Sequence, residues 1–245
     1  MSTPQQKEPV YFYYSFAIER GQQISYKINL DPTTLEFING PEPGDEDWTR
    51  LSYSICDDCP LKAKGIEHCP VAVKLADLVK AFSEVQSFEI ADVEVATHER
   101  LIVKKQVPVQ QGLSSILGIV MVSSGCPDLD FLRPMVRLHL PFSSIEETTY
   151  RSTSMYLLAQ FTRARNDLEP DWTMEGLKDI YQRIDHINRR MVKRMQSATV
   201  QDASLNAVVI LDTFAQMVPL SVGGTLRDME YLFWPYLQDS KQNLS

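Results

Sequence analysis

The sequence predicts an α+β protein in which an N-terminal antiparallel β-meander with one helix precedes an all-α helical bundle. The first observation is that the early segments alternate apolar and polar residues, as half-buried strands do. The second is that apolar residues beyond position 110 recur at three- and four-residue steps, which is typical of amphipathic helices. The chain has 245 residues, 44% of them hydrophobic, which is enough for a sizeable core and for one or two domains. We place these domains at residues 1–108 and 109–245.

The predicted strands are rich in aromatic and β-branched residues and are separated by turn-forming residues. They cover residues 10–19, 24–30, 35–38, 87–96 and 101–109. The sequence Asp31-Pro32-Thr33-Thr34 is typical of a turn between the second and third strands, so the first three strands should form the meander. The last two should form a hairpin.

Helices are predicted where apolar residues line one face or where capping residues mark a start. One helix, residues 70–85, belongs to the first domain, and the others cover residues 112–122, about 144–166, 173–200, 203–218 and 225–237. Ser143 and Ser144, each followed three residues later by a glutamate, offer two registers of a capping box for the 144–166 helix. The 173–200 helix carries an apolar stripe from Met174 to Met195, which predicts a packed helix.

Charge and hydropathy exclude several classes of function. The net charge of −8 and the pI of about 5.1 argue against generic nucleic-acid binding, which needs a basic surface. The sequence contains no run of about 18 apolar residues, so it predicts no membrane span. Its first residues do not have the pattern of a signal peptide. So few cysteines in a chain of this length argue against a secreted disulfide scaffold. We therefore expect a cytoplasmic protein.

The most informative stretch is ICDDCPLKAKGIEHCPV, which contains three of the four cysteines. Cys56, Cys59 and Cys69 have the spacing C-x2-C-x9-C, and Cys126 follows in SSGCPDL. A C-x2-C turn can direct two sulfurs at one metal ion, and two further thiolates complete a tetrahedral site. A proline follows three of these cysteines, which favours helix starts whose free N–H groups stabilise thiolates. We therefore predict a metal site formed by all four cysteines, with zinc as the metal.

The same cysteines allow other interpretations. Cys-Pro pairs also flank iron–sulfur clusters, so the four residues could hold a cluster instead of zinc. They could also be reduced core thiols or a thiol redox pair. His68, which adjoins Cys69, could replace one cysteine as a ligand, although a neighbour that faces solvent is the simpler interpretation.

Two further groups of polar residues are candidates for binding. Arg133, Arg137 and His139 could hold an anion or a carboxylate, although arginines paired with acidic side chains and a core histidine are the simpler interpretation. Four basic residues near the C-terminal end of the 173–200 helix could contact an acidic partner, or could form a solvated face. These four residues are Arg189, Arg190, Lys193 and Arg194.

The motif content favours a binding protein over an enzyme. The glycine-rich phosphate and dinucleotide patterns, H-E-x-x-H and G-x-S-x-G are all missing. We predict a metal-binding protein that acts as a binding or regulatory module with a protein partner. The alternative is an iron–sulfur or thiol redox protein. An enzyme whose site joins Arg133 and His139 to the cysteine region ranks third.

The sequence blocks around these residues point to a known family. The blocks CDDCP, HCPVAVKL, SSGCP, RPM and HLPF together resemble a family of uncharacterised bacterial proteins, and the resemblance covers nearly the whole chain. The resemblance implies a bacterial cytoplasmic protein. It implies no activity and no ligand, so the predicted site depends on the residues themselves.

Overall fold

The computed structural model describes residues 8–198, 202–221 and 229–237, and it confirms the α+β class. Its antiparallel strands form one four-stranded sheet: β1 (Val10–Ile18), β2 (Gln23–Leu30), β3 (Ile90–Ala96) and β4 (Leu101–Pro108). The strand order is β2-β1-β3-β4, so β1 pairs with both β2 and β3. The predicted β3–β4 hairpin is present.

Residues 35–38 lie within the described part of the chain and do not form the predicted third strand of the meander. Only Phe37 makes an isolated bridge, to Leu30. The turn predicted at residues 31–34 is present, with Asp31 Oδ1 accepting hydrogen bonds from the N–H groups two and three residues later, both at 2.8 Å. Leu35 follows with a φ of 58°, a left-handed conformation that strands do not use. Among the described residues, β2 therefore lies at one edge of the sheet, and β1 pairs with β3 along its other side.

One face of the sheet is buried beneath the helices α1 (Pro70–Ala81) and α2 (Val109–Val122). Helix α2 contacts β1, β3 and β4, and α1 packs against α2. The approach is so close that a Cβ on Gly112 would lie 2.5 Å from the Phe16 ring, so the position requires glycine. The Phe82 ring, just after α1, meets the Phe16 ring at a centroid distance of 5.0 Å. The sheet and these two helices thus share one apolar core.

The later helices begin close to the predicted positions. A short helix α3 (Arg133–Arg137) precedes α4 (Ile145–Arg165), α5 (Glu175–Met195) and α6 (Ala203–Ser221). Helix α4 uses the second capping register: Ser144 Oγ accepts from the Glu147 N–H at 3.1 Å, and Glu147 Oε2 accepts from the Ser144 N–H at 2.7 Å. The predicted 225–237 helix lies partly outside the described residues, and Trp234–Leu237 forms a short helix.

The chain divides into two compact units. Unit 1 comprises Met1–Phe142 and Arg183–Thr213, and unit 2 comprises Ser143–Gln182 and Phe214–Ser245. The predicted division at residues 108 and 109 falls inside unit 1, because α2 packs on the sheet. No single helix among the described residues is long and apolar enough to cross a membrane. Within the described residues, one pair of helices, Val109–Val122 and Pro127–Arg137, has sufficient combined length and apolar character, and the pair is bent by 117°.

In unit 2, the carboxylate of Asp171 organises the start of α5. Its Oδ1 accepts from the Thr173 N–H at 2.9 Å and the Thr173 hydroxyl at 2.6 Å. Its Oδ2 accepts from the Gly176 N–H and the Tyr156 hydroxyl, both at 2.8 Å. These hydrogen bonds, above all those from Thr173 and Gly176, hold the pKa of Asp171 well below its usual range. The ionised carboxylate is therefore the form that the fold stabilises.

We expect Asp171→Asn to lower the melting temperature at neutral pH, because the amide has one acceptor oxygen and no charge. Asp171 has a lower pKa in the folded protein than in the unfolded chain. Its contribution is therefore present above the unfolded value of about 4 and is lost as the pH falls below it. Melting temperatures of the wild type and D171N, followed by circular dichroism, should converge on acidification. Glu169→Gln is the matched control, since Glu169 is exposed. Equal losses in both variants would contradict this role.

Candidate metal centre

Cys56 and Cys59 lie on consecutive tight turns in unit 1. The Cys59 N–H donates to the Cys56 carbonyl at 3.2 Å, and the Lys62 N–H donates to the Cys59 carbonyl at 3.2 Å. The segment ends at Gly65, whose φ of 66° lies in the left-handed region that glycine adopts without strain. Both thiols are half-buried. The C-x2-C sequence therefore presents two accessible sulfurs on one compact loop.

Cys69 and Cys126 occupy equivalent backbone positions in front of two helices. Cys69 precedes α1 with φ −71° and ψ 118°, and Cys126 precedes the 3-10 helix Pro127–Leu132 with φ −75° and ψ 118°. The N–H groups of Ala72 and Val71 stabilise a Cys69 thiolate, and that of Asp128 stabilises a Cys126 thiolate. The Cys-Pro pairs thus place two sulfurs where backbone dipoles favour negative charge, as the prolines predict.

The four cysteines are free thiols, and Cys56, Cys59 and Cys126 each lie within electrostatic range of Cys69. Burial, together with the nearby sulfurs of Cys69 and Cys59, raises the pKa of Cys56 to about 11. Burial raises the pKa of Cys126 to about 12. The Asp128 N–H lowers this pKa, and the nearby Cys69 raises it. Burial also raises the pKa of Cys69. Thiols from three separate segments of the chain thus influence one another electrostatically, and burial favours their protonated form unless a further positive charge stabilises the thiolates.

The guanidinium of Arg194 lies buried beside these thiols, with an exposed fraction of 0%. It donates hydrogen bonds to four backbone carbonyls of the loop that precedes Cys56. The acceptors are Trp48 and Arg50 for Nη1, and Leu51 at 3.1 Å and Ser54 at 2.9 Å for Nη2. Arg194 therefore fixes the path of the chain as it enters the C-x2-C turn.

The positive charge of Arg194 has no carboxylate partner among the described residues, and its Nε–H has no hydrogen-bond acceptor there. Burial lowers the pKa of Arg194, whereas Cys69, Cys56 and Cys59 raise it. Arginine nevertheless remains protonated in proteins. A buried cation is thus surrounded by neutral carbonyls and by thiols that become anionic when they lose their protons.

The assignment of Arg194 to an exposed basic patch is therefore wrong. Arg194 follows Ile187 by seven residues and Met191 by three, which places it on the buried stripe of α5. This spacing was the signal in the sequence that the residue faces inward. Residue type alone suggests an exposed basic patch, but the position of Arg194 on the helix decides that its side chain is buried.

The other three basic residues of the predicted patch differ in their surroundings. Arg190 is half-buried and pairs at 2.6 Å with Asp57, the residue after Cys56. Arg189 is exposed and pairs with Asp185 at 2.9 Å, one turn earlier on α5. Lys193 is exposed. The end of α5 thus directs Arg190 and Arg194 at the cysteine loop and leaves Arg189 and Lys193 at the surface.

His68 and the ligand geometry qualify the prediction of a metal site. Among the described residues, no three or more histidine, cysteine, aspartate or glutamate side chains already stand as a group that could hold a metal ion. His68 Nδ1 lies 2.8 Å from Thr49 Oγ1, and His68 Nε2 lies 3.8 Å from Glu67 Oε1. Only Nδ1 makes a hydrogen bond, because 3.8 Å is too long for one at Nε2, so His68 as an alternative metal ligand stays a prediction.

The polar set predicted at Arg133, Arg137 and His139 is divided between two places. Arg133 forms ion pairs with Asp130 at 2.8 Å and with Glu36 at 2.9 Å. It is therefore an arginine paired with acidic side chains, which was the simpler of the two interpretations. Arg137 and His139 line a cavity, and Arg133 is not part of its lining. The three residues therefore do not form one anion site.

His139 belongs to a polar cluster that sequence reasoning missed. Its Nε2 lies 2.9 Å from the Tyr14 hydroxyl and 3.1 Å from the Ser115 hydroxyl, and these two hydroxyls are 2.9 Å apart. Tyr14 is fully buried on the core face of β1, and burial strongly raises its pKa. The alternation of β1 places Tyr14 inside, but nothing local in the sequence connects it to Ser115 or His139.

Together these features define an α+β protein whose first unit combines a four-stranded sheet with four neighbouring thiols and a buried arginine. The chain belongs to the family that shares a domain of unknown function (DUF6901), whose model matches residues 12–234. The matched region contains all four cysteines and Arg194. No curated protein and no solved structure matches the chain.

Proposed function

We propose that the protein binds one zinc ion through Cys56, Cys59, Cys69 and Cys126, and that the ion is structural. The observation that carries this proposal is the buried charge of Arg194, which lacks a carboxylate partner within the described residues and lies in electrostatic range of three of the cysteines. A buried cation is costly unless an opposite charge compensates it. Four thiolates around Zn²⁺ carry a net negative charge, which would supply that compensation.

The donor chemistry of the four cysteines also supports zinc. The C-x2-C turn supplies two sulfurs, and the Cys-Pro helix starts supply two more with N–H groups beside them. Such N–H groups stabilise thiolate ligands. The thiol side chains must turn to form a tetrahedron, since they do not already stand as a ligand group. Zinc displaces the protons of thiols that coordinate it, so raised thiol pKa values make binding dependent on pH but do not prevent it.

A site with four protein ligands leaves no open position for water, so the ion would stabilise the fold rather than catalyse a reaction. The protein would then act through binding, as a regulatory or interaction module in the cytoplasm. Large apolar side chains exposed in unit 2 support a protein partner. They include Trp172, Trp234 and Tyr236. The raised thiol pKa values argue against a thiol redox switch, because reactive cysteines have lowered ones.

Elemental analysis of protein purified without oxygen tests the proposal. We expect about one zinc per chain, because four cysteines form one site, and no visible absorption, because Zn²⁺ is a d¹⁰ ion. Cys126→Ser should lose metal as completely as Cys59→Ser, since each removes one of four ligands.

His68→Asn is the control, because it changes the neighbour of Cys69 and should retain the metal. If the protein absorbs visible light and contains iron, the group on the same cysteines is an iron–sulfur cluster and not zinc. Less than about a tenth of an equivalent of any transition metal would refute the metal site altogether.

A further inference from the structure

A cavity of about 170 Å³ lies between the start of β1, the β3–β4 hairpin tip and the segment after α3, all in unit 1. Its titratable lining includes two arginines, two histidines and one carboxylate, and Tyr11 and Thr97 add hydroxyl groups. These five titratable residues are His98, Glu99, Arg100, Arg137 and His139. Apolar side chains form the remaining walls, among them Phe12, Ile102 and Pro141. The cavity is therefore mixed in character, with cationic groups beside an apolar surface.

Arg137 brings a positive charge to the cavity that no ion pair of the described residues neutralises. Within the described part of the chain, no acidic side chain pairs with it and no hydrogen bond of its guanidinium is formed. Arg100, by contrast, pairs with Glu99 at 3.1 Å, so these two charges offset each other. The fixed charge of the cavity is thus close to one positive unit, which fits a ligand with a single negative charge.

Both histidines are held in place at the cavity wall. The His98 ring meets the Tyr11 ring at 4.2 Å, and its Nε2–H donates to the Pro9 carbonyl at 2.6 Å. His139 is oriented by the hydroxyls of Tyr14 and Ser115. Because these contacts are made by the protein itself, the lining is ordered before any ligand enters. Preorganisation of this kind lowers the cost of binding.

The size of the cavity limits the ligand. Sites for drug-sized molecules have volumes of roughly 300–1,000 Å³, whereas this cavity measures about 170 Å³. A guanidinium matches a carboxylate through two parallel hydrogen bonds. A phosphate dianion would leave one charge uncompensated and would meet the carboxylate of Glu99.

We infer that this cavity binds a small organic acid, with its carboxylate on Arg137 and a short apolar body against Phe12 and Pro141. The site is separate from the cysteines and does not depend on the proposed metal. Neither histidine is required to be charged, since the guanidinium alone balances the ligand. The bound molecule would be a monocarboxylate with a single ring or a short aliphatic chain.

Benzoate is the probe, and the ring signals of the histidines in NMR spectra are the readout. The chain has four histidines, so the signals can be assigned by substitution. We expect benzoate to shift the signals of His98 and His139 with a Kd on the order of 1 mM, and to leave those of His68 and His186 unchanged. Arg137→Met should weaken binding by about tenfold or more.

Lys105→Met is the matched control, because it removes one exposed positive charge that does not line the cavity. It should bind benzoate as the wild type does. Benzamide, which has the same ring without the charge, should give no saturable shift. The inference is overturned if R137M binds benzoate normally, if benzamide binds equally well, or if inorganic phosphate binds more tightly than benzoate. Absence of saturable shifts up to about 20 mM benzoate would also overturn it.

Discussion

Removal of the proposed zinc ion by a strong chelator should lower the melting temperature of the protein by more than about 10 °C. Structural zinc contributes apparent binding energies of about 10–16 kcal/mol in small peptides, and that energy becomes folding energy. A loss of 1 kcal/mol lowers the melting temperature of a chain of this size by about 2–4 °C. Even a fraction of the peptide value therefore predicts a large shift. The ion would join the C-x2-C loop to the starts of two helices, so its loss would release three segments of unit 1.

Differential scanning calorimetry on protein whose metal content has been verified measures this effect. Readdition of zinc should restore the original melting temperature. The Cys126→Ser variant, which lacks one ligand, should already melt at the lower temperature and should not respond to the chelator. A metal-free wild type that melts at the same temperature as the loaded protein would rule out a structural role.

Arg194→Met should be the most destabilising single substitution at a basic residue. It leaves the carbonyls of Trp48, Arg50, Leu51 and Ser54 without their donor. Each buried carbonyl left without its donor costs about 1–3 kcal/mol, so the loss of this network should lower the melting temperature by on the order of 10 °C. Chemical denaturation and thermal melting measure the loss. Methionine is the test residue because it is long and apolar, so the cavity it leaves is small.

Lys193→Met is the control for Arg194→Met, since Lys193 is the preceding residue and is exposed. Its effect should stay within about 0.5 kcal/mol. Arg194→Lys keeps the charge but lacks the planar fork that reaches four carbonyls, so its stability should fall between the other two variants. If R194M and K193M melt at the same temperature, the guanidinium does not stabilise the cysteine loop.

Features that depend on neighbouring residues were predictable from the sequence. Ser144 and Glu147 are three residues apart, and they form the capping box that starts α4. The prolines after Cys69 and Cys126 mark helix starts, and both helices begin there. The β3–β4 hairpin also depends on short-range alternation. In each case the interaction that creates the element is encoded within a few positions.

Features that depend on distant residues were not predictable in this way. The pairing of β1 with β3 required the rest of the sheet, and the strand predicted at residues 35–38 is interrupted by the left-handed conformation of Leu35. Arg133 pairs with Glu36, which lies almost a hundred positions away. The four cysteines were grouped by their spacing, but the residue that bears the unpaired charge beside them was assigned to the surface. Its environment is made by a loop far away in the sequence.

That distance has a consequence for the order in which the protein matures. The hydrogen bonds of Arg194 span 140 to 146 positions of the chain. During synthesis at about 5–20 residues per second, the cysteine loop therefore emerges roughly 7–30 s before the arginine that holds it. Throughout that interval the four loop carbonyls lack the guanidinium that binds them in the folded protein. The nascent chain thus exposes three of its thiols to the cell before the helix that shelters them has been made.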